Sequence, residues 1–204
     1  MKFTEEKLEK AFTELLAQEG YTHTKGEAIQ RQLHEVLIEK DLEDFLLSCY
    51  GPDGLTLSEV KSIVLRLKTL PSSDLYESNK TFMRMLSDGF ILKREDRNQK
   101  DIYIQLIDYR GLGTQRRPSN DSLLEIVADE QPGYGVDRNI YRFVNQLEIV
   151  GDEKRIPDGI VYVNGLPLVV FEFKSAIREE ATIHNAYQQL TVRYRRDIPE
   201  LFKY

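Results

Sequence analysis

Apolar residues recur at three- to four-residue spacing through the first ninety positions of this chain and alternate with polar ones beyond residue 100. The first spacing is that of one helix face and the second that of a strand. Leu8, Phe12, Leu15 and Leu16 predict an opening helix, with Thr4 as its N-cap and Gly20 at its C-terminal stop. A second helical pattern runs from Glu27 to about Tyr50 through Ile29, Leu33, Val36, Leu37, Phe45 and Leu46, until Gly51-Pro52-Asp53-Gly54 breaks it. Ser58 begins a third (Val60, Ile63, Val64, Leu67), stopped by Pro71, and a fourth spans Leu75 to Leu86 and ends at Gly89.

Ile102, Ile104 and Leu106 then alternate as a strand does, up to Gly111-Leu112-Gly113. Residues 114–137 mix Gly, Pro and polar positions around a short apolar run, Leu123 to Val127, and take no assignment. Three strands are expected after them, at Tyr141–Val150, Gly159–Val163 and Leu168–Phe173, and then a closing helix from Ala181 to about Arg196. Helices first and sheet later predicts an α/β (α+β) fold with a helical insertion after the first helix.

Composition narrows the class. A hydrophobic fraction of 41% and a charged fraction of 30% are ordinary for a globular protein. No apolar run approaches the length of a membrane span, and MKFTEEKLEK lacks the apolar centre of a signal peptide. The one cysteine, Cys49, cannot form an internal disulfide, which fits a reducing, cytoplasmic setting. A net charge of −6 opposes simple nucleic-acid binding, so any DNA contact needs a local basic surface or help from other chains. Lys154, Arg155, Arg193, Arg195, Arg196 and Lys203 are the candidates for such a rim.

Candidate chemistry lies in Pro157-Asp158 followed by Glu172-Phe173-Lys174. Two carboxylates and a lysine are what metal-assisted phosphodiester hydrolysis needs. Mg²⁺ prefers hard oxygen ligands, so Asp158, Glu172 and the Phe173 carbonyl could hold it while Lys174 serves the attacking water or the developing charge. A Pro-Asp pair also occurs in turns, and Glu-x-Lys on a strand is commonly a solvated face. Here, however, the charges interrupt the apolar run Leu168 to Phe173, where a carboxylate needs a partner. Asn164-Gly165 signals a hairpin between the acids. A two-residue loop would pair Val163 with Leu166 and put Asp158 on the wrong face. Bringing it beside Glu172 requires a three-residue loop, a bulge, or an Asp158 outside the ladder.

The run Ile156-Pro157-Asp158-Gly159-Ile160-Val161-Tyr162-Val163-Asn164-Gly165-Leu166-Pro167-Leu168-Val169-Val170-Phe171-Glu172-Phe173-Lys174 resembles the PD-(D/E)xK core of type I restriction enzyme R subunits. Asn139-Ile140-Tyr141-Arg142-Phe143-Val144-Asn145-Gln146, the segment LYESNKTFMRMLSDG from Leu75 to Gly89, Leu106-Ile107-Asp108, and the helix from Thr4 to Tyr21 extend the likeness over most of the chain. The resemblance implies a restriction-endonuclease-like core, with a mixed central sheet flanked by helices. Residues 1–204 would form one nuclease domain, with a helical insertion at about 22–90 and a catalytic core at about 138–204. It further implies Mg²⁺-dependent cutting of double-stranded DNA by Asp158, Glu172 and Lys174, in company with methyltransferase (M) and specificity (S) subunits.

The family also uses a glutamine and a tyrosine four residues apart on the following helix; Gln189 and Tyr194 are five apart, a shift of roughly 100° around an α-helix. Related nucleases add a glutamate from the first helix, for which Glu9 is the candidate. No phosphate-binding G-x-x-x-x-G-K-[ST] motif occurs, so ATP belongs to a helicase-type motor expected beyond residue 204. Two other readings stay open. One is a nuclease-fold domain of a helicase-like repair or phage-defence protein; the other is a non-catalytic module that docks DNA or subunits.

Overall fold

The computed structural model describes residues 4–96, 98–110, 137–174 and 183–204. The expected breaks at Gly111-Leu112-Gly113, the run Leu123–Val127 and the start of the closing helix at Ala181 lie outside these residues. The first helix, α1 (Glu5–Gln18), begins at Thr4, whose hydroxyl accepts the Lys7 N–H, and the chain leaves it through Gly20 at φ 83°. Strand β1 (Thr22–Lys25) follows, then one 3₁₀ turn, Gly26–Ala28.

The helix expected from Glu27 starts only at Glu39, as α2 (Glu39–Tyr50). Its apparent first half is irregular backbone stapled by Arg31, whose guanidinium donates to the carbonyls of Gln32, Leu33, Glu35 and Glu148. Val36, Leu37 and Ile38 are buried in alternation: Leu37 enters one apolar core, Val36 and Ile38 the other. Such alternation is strand-like. Three adjacent apolar residues satisfy either period, which is why the sequence pattern misleads here.

Helix α3 (Leu57–Lys68) opens with a reciprocal capping box between Thr56 and Glu59, and α4 (Leu75–Ser87) with the Asp74 carboxylate on the Glu77 N–H. Strands β2 (Phe90–Leu92) and β3 (Ile102–Ile104) pair antiparallel. The strand expected over Tyr141–Val150 is two, β4 (Tyr141–Asn145) and β5 (Ile149–Val150), because Gln146 turns the chain at φ 54°. A short β6 (Lys154–Arg155) pairs with β5, and β7 (Gly159–Val163) and β8 (Leu166–Phe171) form the hairpin. The chain closes with α5 (Ile183–Gln188), a π-helical turn Gln189–Tyr194, α6 (Arg195–Asp197) and a 3₁₀ segment, Pro199–Lys203.

The central sheet runs β1-β4-β7-β8, with β1 parallel to β4 and the other pairs antiparallel. It is the mixed sheet of a restriction-endonuclease-like α+β core. On one face Val144, Ile160 and Tyr162 pack with Tyr194, Ile198 and Leu201 of the C-terminal segment. On the other, Phe12 of α1 meets Phe143, Phe171 and Phe173 at ring separations of 5.6, 4.5 and 5.5 Å. Helices α2 to α4 enclose the second core with β2, β3 and the hairpin tip residues Val163 and Leu166. None of the described helices is long and apolar enough to cross a membrane.

Asn164 joins these parts. Fully buried, its amide oxygen accepts the Ile140 N–H at 2.7 Å, and its amide nitrogen donates to the carbonyl of Leu106 and to Oδ1 of Asn139, both at 2.9 Å. With Asn164 at φ 52° and Gly165 at φ 75°, the tip is the two-residue turn that an Asn-Gly pair favours. A Cβ on Gly165 would stand 2.2 Å from the Ile38 carbonyl oxygen, so the turn is also packed against the start of α2.

Candidate active site

The register of the hairpin decides where the acids lie. Val163 pairs with Leu166 and Tyr162 with Pro167, but Val161 pairs with Val169, so Leu168 is an extra residue on β8. Pro167 has no N–H to give the ladder, and a bulge beside it is the standard accommodation. The bulge restores phase: Gly159 stands opposite Phe171, and Asp158 therefore precedes β7 where Glu172 follows β8. Gly159 itself allows the close approach, since a Cβ there would come within 2.4 Å of the Phe143 ring.

Asp158 Oδ2 accepts the Phe173 N–H at 2.6 Å. Glu172 is almost wholly enclosed, with 4% of its side chain exposed, and both its oxygens are held. Oε1 accepts from Lys174 Nζ at 2.6 Å and Oε2 from the Tyr194 hydroxyl at 2.9 Å. The Tyr194 oxygen in turn accepts from Gln189 Nε2 at 2.8 Å. The five-residue spacing that an α-helix would have splayed apart is closed by the π-helical turn, which begins at Gln189 and ends at Tyr194.

Electrostatics follow from this enclosure. Burial, together with the charges of Glu172 and Glu9, pushes the Asp158 carboxyl up to about 6, against the opposing Phe173 N–H and the Lys174 ammonium. Burial also raises the Tyr194 phenol, and the adjacent Glu172 carboxylate adds to it, so Tyr194 stays a proton donor in this hydrogen bond.

The donors suit a hard divalent cation. Asp158 and Glu172 bring two carboxylates against one ammonium, and an added positive charge would relieve what disfavours ionised Asp158. Among the described residues no three His, Cys, Asp or Glu side chains form a closed metal-holding group.

Other expected residues fall differently. Glu9 stands on α1 with Oε1 accepting from Asn145 Nδ2 at 2.7 Å, and Asn145 Oδ1 lies 2.9 Å from His23 Nε2. Neither Asn145 nor His23 was singled out in the sequence: Asn145 lies within an expected strand and His23 in a stretch without a strand signal. Arg155 and Arg196 both bind Asp197, Lys154 pairs with Glu148, and Lys203 is buried on the carbonyls of Lys68 and Leu70. Of the six bases expected to form a rim, Arg193 and Arg195 are exposed and make no ion pair among the described residues.

Comparison with known proteins places the chain in a family. A family model described as type I restriction enzyme R protein N terminus matches residues 2–204. The type I restriction enzyme HindI endonuclease subunit of Haemophilus influenzae is 35% identical over 150 residues, covering 72% of this chain and 12% of that protein. The putative type I restriction enzyme MjaIXP endonuclease subunit of Methanocaldococcus jannaschii is 23% identical over 206 residues, covering 97% of the chain and 17% of its own length. The chain thus spans under a fifth of these relatives.

Proposed function

The chain belongs to the family of type I restriction enzyme R protein N termini, and from that membership we propose that it is the nuclease domain of such a subunit, cutting double-stranded DNA with Mg²⁺. The observation that carries this reading is the Leu168 bulge, through which Asp158 stands opposite Glu172 with Lys174 on the latter's carboxylate.

Asp158, Glu172 and the Phe173 carbonyl would hold the ion. When bound, it supplies Lewis-acid polarisation of the scissile phosphate and a more acidic water. Lys174, whose ammonium donates to Glu172 Oε1, would steady the attacking water or the charge that builds on the phosphate oxygens. Tyr194, aligned by Gln189, keeps the Glu172 carboxylate from rotating. Phe12, Phe143 and Phe171 pack on the face of the sheet opposite Tyr194, behind the strands that lead to Asp158 and Glu172.

DNA is held mainly elsewhere in this scheme. Arg155 and Arg196 are committed to Asp197, which leaves Arg193 and Arg195 as the local phosphate contacts. The remaining grip, and the choice of sequence, fall to a helicase-type motor later in the subunit and to M and S partners, acting in the cytoplasm.

The test uses the full-length subunit assembled with its partners. Asp158→Ala, Glu172→Ala and Lys174→Ala should each abolish DNA cleavage and leave ATP hydrolysis largely intact. Loss of one electrostatic stabiliser costs about 10²–10³ in rate. Cleavage at the wild-type rate by all three variants would make these residues a structural polar cluster.

A further inference from the structure

Two side chains outside the cleavage scheme converge on Glu9. Asn145, the last residue of β4, donates Nδ2 to Glu9 Oε1 at 2.7 Å and turns Oδ1 to His23 Nε2 at 2.9 Å. An ionised carboxylate only accepts hydrogen bonds, so the amide must show its NH₂ to Glu9 and its oxygen to the imidazole. His23 must therefore carry its proton on Nε2. The imidazole ring lies 6.0 Å from Phe143 at 29°, nearly stacked, which limits its rotation.

The chain His23–Asn145–Glu9 ends beside the acids. Asn145 pairs in register with Gly159, the neighbour of Asp158. Three residues on from Glu9, Phe12 packs on Phe173, whose N–H binds Asp158. The Glu9 charge is also one of those felt by Asp158. A glutamate on an otherwise solvated helix has several rotamers that point to water, and holding one of them needs a partner. Asn145 is that partner.

We propose that Asn145, aligned by His23, is a positioning residue that fixes the Glu9 carboxylate in the neighbourhood of Asp158, adding a third negative charge to the field that attracts a divalent cation. The inference rests on the ion-binding reading of Asp158 and Glu172. It requires no direct bond from Glu9 to the ion: a fixed negative charge near the first ligands still favours a cation in a partly enclosed site.

The experiment titrates Mn²⁺, a paramagnetic stand-in for Mg²⁺, into this chain without DNA and follows free ion by electron paramagnetic resonance. Glu9→Gln and Asn145→Ala should each weaken binding by about tenfold, as loss of an outer-shell partner does. His23→Ala should weaken it less, and the Glu9→Gln/Asn145→Ala double variant no more than either single change. That non-additivity separates positioning from structural damage, which would add to the loss of Glu9. Asn145→Leu, of similar shape without polar atoms, serves if the alanine variant unfolds. Additive losses, or wild-type affinity in both Glu9→Gln and Asn145→Leu, would overturn the proposal. Asp158→Ala is the control: unchanged binding there would refute the ion site itself, whereas lost binding there with intact binding in the Asn145 variants refutes only the role of Asn145.

Discussion

The Tyr194 hydroxyl donates to Glu172 Oε2 at 2.9 Å, across 22 residues of chain, and so anchors the closing helix to the end of strand β8. Tyr194 is 4% exposed and Glu172 keeps only 4% of its side chain in solvent, so water cannot readily replace the bond. Tyr194→Phe should cost about 1–3 kcal/mol of unfolding free energy, the penalty for a buried acceptor stripped of its donor. Urea denaturation measures it. A midpoint unchanged from wild type would mean that the helix is held by packing alone.

The π-helical turn predicts an unusual tolerance. Val192, 59% exposed, lies inside it, and the turn spends one residue more than an α-turn between Gln189 and Tyr194. Deleting Val192 should let the helix run on as regular α, with glutamine and tyrosine then four apart and still facing one another. The melting temperature should fall by only a few degrees, and deletion of Tyr187 from the regular helix should do far more harm. Equal damage from the two deletions would show that the wide turn is not the place where the spare residue is absorbed.

Asp158 and Glu59 should pull stability in opposite directions with pH. Burial alone would raise the Glu59 carboxyl, but the Arg94 guanidinium at 2.7 Å, with the N–H groups of Thr56 and Glu95, holds it at about 2. A depressed folded-state pKa gives stability that is present above the unfolded value near 4.5 and lost as pH falls through about 2. Glu59→Gln should remove that acid limb and, by stranding the buried Arg94, cost about 3–5 kcal/mol at neutral pH. For Asp158, raised to about 6, the folded state binds the extra proton, so the metal-free protein gains stability as pH drops from about 6 to 4. Asp158→Asn should raise neutral-pH stability by on the order of 1 kcal/mol, discounted for its partial exposure, and flatten that slope. Added Mg²⁺ should reverse the ranking.

Asn164 gives a prediction on the hairpin tip. Asn164→Ala leaves the Ile140 N–H and the Leu106 carbonyl without their side-chain partner and keeps a β-carbon at positive φ. Each stranded group costs about 1–3 kcal/mol. Asn164→Gly removes the backbone strain but not the lost bonds, so it should recover only part of the loss. Full recovery by glycine would assign the role of Asn164 to its backbone alone.

How much of this was legible in the sequence depends on the kind of signal. Strand β7 and its turn were readable because Gly159–Val163 is apolar and Asn164-Gly165 suits positive φ at both positions. The register was not, since counting residues across the loop ignores Leu168, although Pro167, lacking an N–H, was a legible warning. Strand β1 carries polar, largely exposed Thr22–Lys25 and sits at the sheet edge, so no apolar alternation marks it. The meeting of Gln189 and Tyr194 was hidden because helical counting assumes an unbroken turn. The basic residues were visible, but their partners were not: Arg155 and Arg196 converge on Asp197, a contact that no local pattern encodes.

Leu37 faces one core while its neighbours Val36 and Ile38 face the other, and the Tyr162 hydroxyl closes on the Val36 carbonyl at 3.0 Å. Those three residues act as a stitch through two layers. Neither layer can open without unthreading a segment that the other still grips. Amide hydrogen exchange should accordingly find helix α3 and strand β7 opening in one cooperative event at the same free energy, although α3 packs in one cluster and Ile160 and Tyr162 of β7 lie in the other.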